Sequence, residues 1–444
     1  MKNIFTMSRD NFSFLMLTLF FSSHFIAQGQ ITYIKAGLLY DSENNLLVEN
    51  QIVEIDSNEI VDIYDAGKKI TKTGNIIDLS AYTVLPGLID GHTHVLFSQS
   101  ADVDFAEHAV VTLAMESEAL RTLRGVKRAR SYLDVGITSI KDLGNSGLFL
   151  DVALRDAIHE GTIEGPRVFA SGPILASSGG QIYGVSPKHQ NLIDEEYRIV
   201  RGVEDAKVAV QEHVNQGVDL IKICADNLPN KTMLTKAEIT AIVKTAHTYG
   251  LKVTAHAVTD ESARNAVEAG VDGIEHGFNI SDSTLELMAD KNVFLVPTEN
   301  SKDYMVLYST LAGYDQDSNE WIDRYRNAMT DRLQRAIEKG VTIVAGSDNY
   351  TEINRSRGSS SVDMFKAYYG SGMSPLDILQ SATYLSAKNL GKQDEIGVLK
   401  SGAKADIVAV KGNLVTAFIP TITQVVFVMK EGQVIKKTIE GTKE

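Results

Sequence analysis

Cysteine is almost absent from this chain of 444 residues, in which Cys224 is the single example. One cysteine cannot form an intrachain disulfide, and a chain of this length has a core large enough to need none. Basic residues are also in deficit, since 43 Lys and Arg stand against 57 Asp and Glu, giving a formal charge of −14. Because phosphate binding needs basic surface, this balance argues against nucleic acid as a partner.

The one strongly apolar run lies near the start of the chain. Lys2 and Arg9 precede FSFLMLTLFFSSHFIA, and Ala27-Gln28-Gly29 places small residues on either side of position 28, before a cut at Gln30. This order is typical of a secretory signal peptide, and the apolar part is shorter than the ~20 residues that a membrane anchor needs. No cysteine stands at the cut to carry a lipid. We predict a signal peptide over residues 1–29 and an exported protein, periplasmic or secreted, with no stable membrane anchor after cleavage.

Residues 30–84 and 392–444 share short apolar segments separated by Asp, Asn and Gly turns, as in NQIVEIDSNEIVDIYDA and QVVFVMKEGQVIKKTIEG. Such segments predict short β-strands. The simplest arrangement pairs the two ends of the chain into one small β-sandwich domain. Residues 85–391 are then inserted as a second, larger domain, for which the chain has room.

The inserted region alternates strand-like and helical segments. KAEITAIVKTAHTYG carries a Thr235-x-x-Glu238 capping box, and SPLDILQSATYLSAKNLG begins with Ser374 and Pro375 and ends at Gly391. Eight β-then-α units over roughly 300 residues predict a (β/α)8 TIM barrel, with a doubly wound sheet as the alternative. The strand-like segments are TVLPGLID, VGITSIKDLG, PRVFASG, VDLIKIC, LKVTAHA, DGIEHG, NVFLVPT and VTIVAGSD.

Metal-compatible side chains recur where these segments end. GLIDGHTHV places His92 and His94 two residues apart, so in a strand both imidazoles point to the same side. A metal ion accepts both rings at once, whereas each ring alone would need a separate hydrogen-bond partner. Catalytic groups of a barrel come from the carboxyl ends of its strands, so the shared position predicts a metal site. The other residues at that end are Lys222, His256, His276 and Asp348.

Lys222 stands in the apolar segment DLIKIC, where burial of its charge is costly. One explanation is a partner carboxylate, and another is a side chain that extends to solvent. A third is that the neutral amine has reacted with CO2. The resulting carbamate is an anion with two oxygens that can bridge two metal ions.

Taken together, GLIDGHTHV, the lysine of the fourth strand, VTAHA, GIEHG, AGSD and SGAKADIVAV resemble the amidohydrolase superfamily. TSIKDLG, DVALRDAI and GPRVFASG narrow the resemblance to the imidazolonepropionase-related branch, which includes metal-dependent Xaa-Pro and basic-residue dipeptidases. The resemblance covers nearly all of residues 30–444.

This resemblance implies two divalent metal ions, usually Zn²⁺. His92, His94 and Asp348 would bind the buried ion, His256 and His276 the second, and carbamylated Lys222 would bridge them. Two such ions make a bridging hydroxide near neutral pH, and Asp348 passes a proton from that water to the leaving amine. Asp348 is therefore both ligand and catalytic residue.

The substrate is less well defined by the sequence. Dipeptidases of this branch commonly have a histidine after a glycine pair, where SSGGQIYG has Gln181, which donates a hydrogen bond but carries no charge. Arg355 and Arg357 are candidates to bind a substrate carboxylate, with ordinary surface arginines as the alternative. Tyr183 and Tyr304 stand in loops that a barrel would place around the pocket.

Our leading hypothesis is an exported binuclear zinc enzyme that hydrolyses a small-molecule amide, most plainly a dipeptide or an N-acyl amino acid. A mononuclear hydrolase of a cyclic amide, and a lactonase or phosphotriesterase, use similar ligands and remain alternatives. A metal-stabilised binding module without turnover is the alternative from a different class. A homo-oligomer is compatible with all of these readings.

Overall fold

The computed structural model describes residues 31–314 and 319–439, so the predicted signal peptide over 1–29 lies outside the described residues. None of the described helices is long and apolar enough to cross a membrane. The strands are β1 (Ile31–Asp41), β2 (Leu46–Asp56), β3 (Glu59–Asp65), β4 (Asn75–Pro86), β5 (Leu88–Thr93), β6 (Gln99–Ser100), β7 (Ile137–Asp142), β8 (Arg167–Ala170), β9 (Ile174–Ala176), β10 (Tyr197–Ile199), β11 (Leu220–Cys224), β12 (Asp226–Asn227), β13 (Thr232–Met233), β14 (Lys252–Ala257), β15 (Gly273–His276), β16 (Phe294–Val296), β17 (Thr351–Glu352), β18 (Ile407–Val410), β19 (Val425–Lys430) and β20 (Gln433–Lys437). The α-helices are α1 (Phe105–Met115), α2 (Glu118–Leu133), α3 (Leu150–His159), α4 (Gln190–Asp194), α5 (Val203–Asn215), α6 (Lys236–Thr248), α7 (Asp260–Ala269), α8 (Asp282–Asp290), α9 (Lys302–Leu311), α10 (Asn319–Glu338), α11 (Arg357–Ser361), α12 (Asp363–Gly370), α13 (Pro375–Ser381), α14 (Tyr384–Asn389) and α15 (Phe418–Ile422).

Strands from both ends of the chain form one mixed sheet of seven strands, in the order β20-β19-β18-β4-β1-β2-β3. The edge strand β3 is tied to the segment just before β18, because Ile60 donates a backbone hydrogen bond to Ala403 and accepts one from Gly402. Buried, mostly aliphatic side chains of these strands form one hydrophobic cluster. Gly37 lies at a bulge in β1, where a Cβ atom would stand 2.0 Å from the Ser80 carbonyl oxygen.

The segment TVLPGLID, predicted as one strand, is divided between two sheets at Gly87. β4 belongs to the seven-stranded sheet, and β5 begins a parallel sheet with β7 and β8. A Cβ atom at Gly87 would lie 2.0 Å from Thr138 Oγ1, so the close crossing between the sheets requires glycine. The chain therefore passes directly from the terminal sheet to the strand that carries His92.

The middle of the chain forms two parallel sheets, β5-β7-β8 and β10-β9-β11-β14-β15-β16. A backbone hydrogen bond from Asp219 to Ala170 links the end of β8 to the start of β11. On the other side, Val344 donates to Leu295 of β16, and Gly91 of β5 donates to Ala345. Residues 341–348 thus lie between β16 and β5, where the eighth strand was predicted.

The prediction of a regular strand over 341–348 is wrong, since this segment makes only one isolated bridge, between Ile343 and Leu295. The physical reason is that its amides bind other groups: Ala345 donates to the Ser381 carbonyl and Ser347 to the Asp90 carboxylate. The segment keeps the expected position without a continuous ladder.

The two helix predictions differ in outcome. α6 begins with the reciprocal Thr235–Glu238 capping box as predicted. The helix predicted over 374–391 begins with Ser374 as N-cap but divides into α13 and α14. At the break, the carbonyls of Ser381 and Ala382 accept hydrogen bonds from Ala345 and Ile89. The interruption thus ties this helical segment to the strands that carry the site.

Candidate metal centre

Two imidazoles converge on one carboxylate at the end of β5. The Nε2 atoms of His92 and His94 lie 3.2 Å apart. Asp348 Oδ1 lies 3.5 Å from His92 Nε2 and 3.3 Å from His94 Nε2. Ligand atoms of the three residues all lie within 4.8 Å of one another, which is close enough to share one divalent ion. We call these residues the first ligand group.

The orientation of both rings is fixed through their Nδ1 atoms. His92 Nδ1 lies 2.7 Å from Glu275 Oε2, and His94 Nδ1 lies 2.8 Å from the Gly144 carbonyl oxygen. Because a carboxylate and a carbonyl only accept, each Nδ1 carries a proton, which in a neutral ring leaves the lone pair on Nε2. Both lone pairs are therefore available to an ion beside Asp348.

Glu275 belongs to a buried charged network that the sequence reasoning missed. Its Oε1 accepts hydrogen bonds from Lys141 Nζ at 3.1 Å and from Thr254 Oγ1 at 2.5 Å, and Lys141 also donates to Asn389. Burial raises the pKa of Glu275, but Lys141 and His92 outweigh it and hold that pKa well below its usual value. The sequence signal for this network was a charged residue inside each of two apolar segments, Lys141 in TSIKDLG and Glu275 in GIEHG.

Asp348 has a strained backbone, with φ near 49°, and its amide donates to the His92 carbonyl. Its Oδ1 is buried without a hydrogen-bond partner among the described residues. Burial raises the pKa of this carboxyl, but the imidazoles of His92 and His94 hold it below its usual value. An ionised, unpaired oxygen facing two imidazole lone pairs fits a divalent cation.

The second ligand group consists of Lys222, His256 and His276, on β11, β14 and β15. The rings of His256 and His276 have centroids 4.6 Å apart, and His276 lies 5.1 Å from the ring of His92. His276 Nδ1 is fixed by Thr298 Oγ1 at 2.8 Å, whereas His256 Nε2 has longer contacts, 3.4 Å to Gln181 Nε2 and 3.5 Å to Asp226 Oδ1. Among the described residues, this group does not bring three His, Cys or carboxylate ligand atoms as close as the first group does.

Burial lowers the pKa of three of the ligand histidines, His92, His256 and His276. Burial and then the nearby Lys222 lower the pKa of both His92 and His256 to about 4. Burial and the neighbouring imidazoles hold the pKa of His276 well below its usual value. Lys222 is itself buried, and this lowers the pKa of its amine. At neutral pH the imidazoles therefore present lone pairs rather than charges.

A cavity of about 700 Å³ opens over both ligand groups. Of the predicted substrate residues, Gln181 and Tyr304 line it, and Gln181 also accepts a hydrogen bond from Tyr197. Tyr183 is not among its lining residues and donates to Asp104 at the rim, at 3.1 Å. The sequence reasoning missed most of the aromatic wall. Its further members are Phe105, Phe278, Tyr308, Tyr314, Tyr325 and Tyr350.

The structure places Arg355 and Arg357 away from this cavity, on its outer side. Arg357 is buried and donates to the backbone carbonyls of His94, Phe97 and Tyr350. Arg355 is exposed and lines a separate surface pocket. Neither guanidinium is therefore positioned to hold a substrate in the cavity.

The chain is similar to a known protein family, to curated proteins and to solved structures. Residues 83–443 match the sequence model of the Amidohydrolase family. The chain is 27% identical over 416 residues to an ochratoxinase from Aspergillus niger, and the match covers 87% of this chain and 82% of that protein. It is 24% identical over 396 residues to an imidazolonepropionase from Fusobacterium nucleatum subsp. nucleatum, covering 82% and 84%. A solved Xaa-Pro dipeptidase structure with bound methionine has a TM-score of 0.79 at 28% identity, over 92% of this chain and 100% of that one.

The site and these relatives define a metal-dependent hydrolase of carbon–nitrogen bonds. The chain belongs to the amidohydrolase family, which confirms the resemblance seen in its motifs. Its structural neighbours give it a TIM-barrel-type fold with a β-rich domain. A binding module without turnover is therefore set aside.

Proposed function

We propose that this chain is an exported binuclear zinc hydrolase that cleaves the amide bond of a dipeptide or N-acyl amino acid with a bulky apolar side chain. The observation that carries the proposal is the meeting of the two ligand groups beneath one aromatic cavity. The family generally uses divalent metal, and the first ligand group has the donor atoms for it.

Each ligand group would hold one ion. His92, His94 and Asp348 would hold the first through two imidazole nitrogens and a carboxylate oxygen, and His256 and His276 would hold the second. Bound ions of this kind polarise a carbonyl and make a water molecule more acidic. The neutral imidazoles and the fixed Nδ1 protons supply ligands that need no reorientation.

Lys222 would connect the two ions as a carbamate. Its neutral amine nitrogen would attack the carbon of CO2, so that an N–C bond forms, one C=O electron pair moves to oxygen, and the nitrogen releases one proton to solvent water. The product is an anion whose two oxygens can face different ions. Support comes from the burial of Lys222 and from the lowered pKa of its amine, which favours the reactive neutral form.

Asp348 would accept the proton of the attacking water and deliver it to the leaving amine nitrogen. Its pKa below the usual value keeps it ionised at neutral pH, so it is ready to accept. About a fifth of its side chain is solvent-exposed, and it lines the cavity. The carboxylate can therefore contact both the ion and the substrate.

The cavity wall indicates how the substrate is recognised. Phe278, Tyr304, Tyr325 and Tyr350 offer aromatic surface, which favours a large apolar side chain. Among the described lining residues, Lys222 is the single Lys or Arg, and two acidic residues, Asp102 and Asp104, lie at the rim. Recognition of a free carboxylate would thus fall on neutral donors such as Gln181 and the tyrosine hydroxyls.

A mononuclear hydrolase of a cyclic amide is the second candidate. It is favoured by the fact that the first ligand group alone supplies three ligand atoms within 4.8 Å of one another, which is enough to hold one ion. Lactone and phosphotriester hydrolysis are alternatives that the same ligands would support. The substrate panel below distinguishes all of them.

The test is hydrolysis of a panel by the zinc-loaded enzyme, with and without a chelator. The panel contains dipeptides, N-acyl amino acids, a cyclic amide, a lactone and a phosphotriester. We expect chelator-sensitive cleavage of N-acyl amino acids with Phe, Leu or Met side chains, and less of those with Asp or Gly. Preference for the cyclic amide would replace the proposal with the second candidate.

Export is tested separately by the mass of the protein recovered from the producing cell. We expect the mature chain to begin at Gln30, as the small residues before it indicate. Recovery of the full-length chain from the cytoplasm would contradict this part of the proposal.

A further inference from the structure

A second pocket, of about 730 Å³, lies on the outer side of the barrel between α2 and residues 351–360. We call it the basic pocket. Among the described lining residues of the basic pocket, Thr351 alone also lines the cavity over the two ligand groups, so the pocket and the cavity are neighbours. Glu352 is the single acidic residue among its described lining residues. The cationic lining residues are Arg124, Lys127, Arg128, Arg355 and Arg357.

Arg128 is the least satisfied of these cations. Only 18% of its side chain is exposed, yet the nearest carboxylate, Glu352, lies 3.9 Å away. Its hydrogen bond to the Val95 carbonyl, at 3.5 Å, is also at the limit of such a contact. Burial and the adjacent Arg357 lower the pKa of Arg128 to about 10. The geometry therefore leaves a mostly buried positive charge with weak compensation.

Most of the other cations in the pocket also lack a carboxylate partner among the described residues. Arg357 donates to backbone carbonyls and has no hydrogen bond to a carboxylate among the described residues. Arg124 is paired with Glu116 at 2.7 Å. Lys127 and Arg355 are exposed and form no ion pair within the described part of the chain. This concentration of positive charge stands out on a chain with a formal charge of −14.

We propose that the basic pocket binds a small molecule through a phosphate or carboxylate group held by Arg128 and Arg355. Guanidinium groups match the planar, bidentate geometry of such oxyanions. Ser131, Asn354 and Ser356 add neutral polar groups around the same space. None of the proposed metal ligands lines this pocket, which lies beside the cavity of the proposed amide substrate.

The experiment titrates the zinc-loaded protein with inorganic phosphate and, in a second arm, with succinate, by calorimetry at low ionic strength. We expect saturable binding of at least one of the two. The double variant Lys127→Gln, Arg355→Gln alters only exposed side chains, so it should fold normally and bind about tenfold more weakly or worse, as loss of charge-assisted contacts predicts. Arg128→Gln should have a comparable or larger effect.

Arg130→Gln is the matched control, since Arg130 lies on the same helix but is paired with Asp134 and Glu164. It should bind the anion like the wild type. A preference for one probe identifies the oxyanion as phosphate or carboxylate. The proposal is overturned if neither probe binds. It is also overturned if binding is unchanged in both the double variant and Arg128→Gln, because the anion would then be bound at the metal centre.

Discussion

The two ligand groups differ in how firmly the protein holds them. In the first, each imidazole is anchored through Nδ1, one by Glu275 and one by the Gly144 carbonyl, and both face the unpaired oxygen of Asp348. In the second, His276 is anchored by Thr298, but His256 Nε2 makes only contacts of 3.4 Å and longer. The first site is preorganised for an ion, whereas the second needs another ligand, and the carbamate of Lys222 would supply it.

The largest expected effect tests the double role of Asp348. We predict that Asp348→Asn costs more in rate than in bound metal, because an amide oxygen can still act as a ligand but cannot accept a proton at neutral pH. Loss of a general base typically lowers the rate ~10²–10⁴-fold. The measurement is kcat and zinc content on the same preparation. Equal loss of both would make Asp348 a ligand without a role in proton transfer.

The next effect is expected from removal of the proposed bridge between the two ligand groups. We predict that Lys222→Ala loses most activity and that a short carboxylic acid such as formate restores part of it, since the missing group is an anionic bridge. Lys252→Ala, on the neighbouring β14 and outside the lining of the cavity, is the matched control and should keep normal turnover. If Lys222→Ala hydrolyses substrate at the wild-type rate, Lys222 is not part of the metal centre.

A smaller effect is expected when a substitution weakens the anchoring of the first ligand group. Glu275→Gln keeps an acceptor beside His92 Nδ1 but removes the charge that pairs with Lys141. We expect metal affinity to fall ~10–100-fold, as for other partners of ligand histidines, with little change in KM at saturating zinc. Glu286→Gln, at an exposed position on α8, is the control. An unchanged zinc affinity would show that Glu275 serves folding rather than the orientation of His92.

Much of the site could be predicted because its signals are local. His92 and His94 stand two residues apart, and a lysine inside an apolar strand can be recognised as a candidate without knowledge of its neighbours in space. The partners of these residues are distant in the chain: Glu275 meets Lys141 and Asn389, and the sequence contains no pairing signal for them. Positions fixed by strand order were therefore accessible, and positions fixed by side-chain packing were not.

The fold shows the same division. The capping box of α6 is a local pattern and is present as predicted. The break between α13 and α14 instead depends on hydrogen bonds from the amides of Ile89 and Ala345, which are distant in the chain or belong to another element. The interpretation of Arg357 as a candidate to bind a substrate carboxylate is wrong for a similar reason. Its type suits a carboxylate, but the fold places carbonyls of residues 94, 97 and 350 around it.

The most direct test counts metal ions in the wild type and in Lys222→Ala, both purified with zinc and bicarbonate, by elemental analysis. The preorganised first group should keep its ion in both proteins, while the second group should lose its ion with the bridge. We therefore predict about two ions per chain in the wild type, as the proposed two-metal site requires, and about one in Lys222→Ala. A value near two in both proteins, or near one in the wild type, would contradict the account.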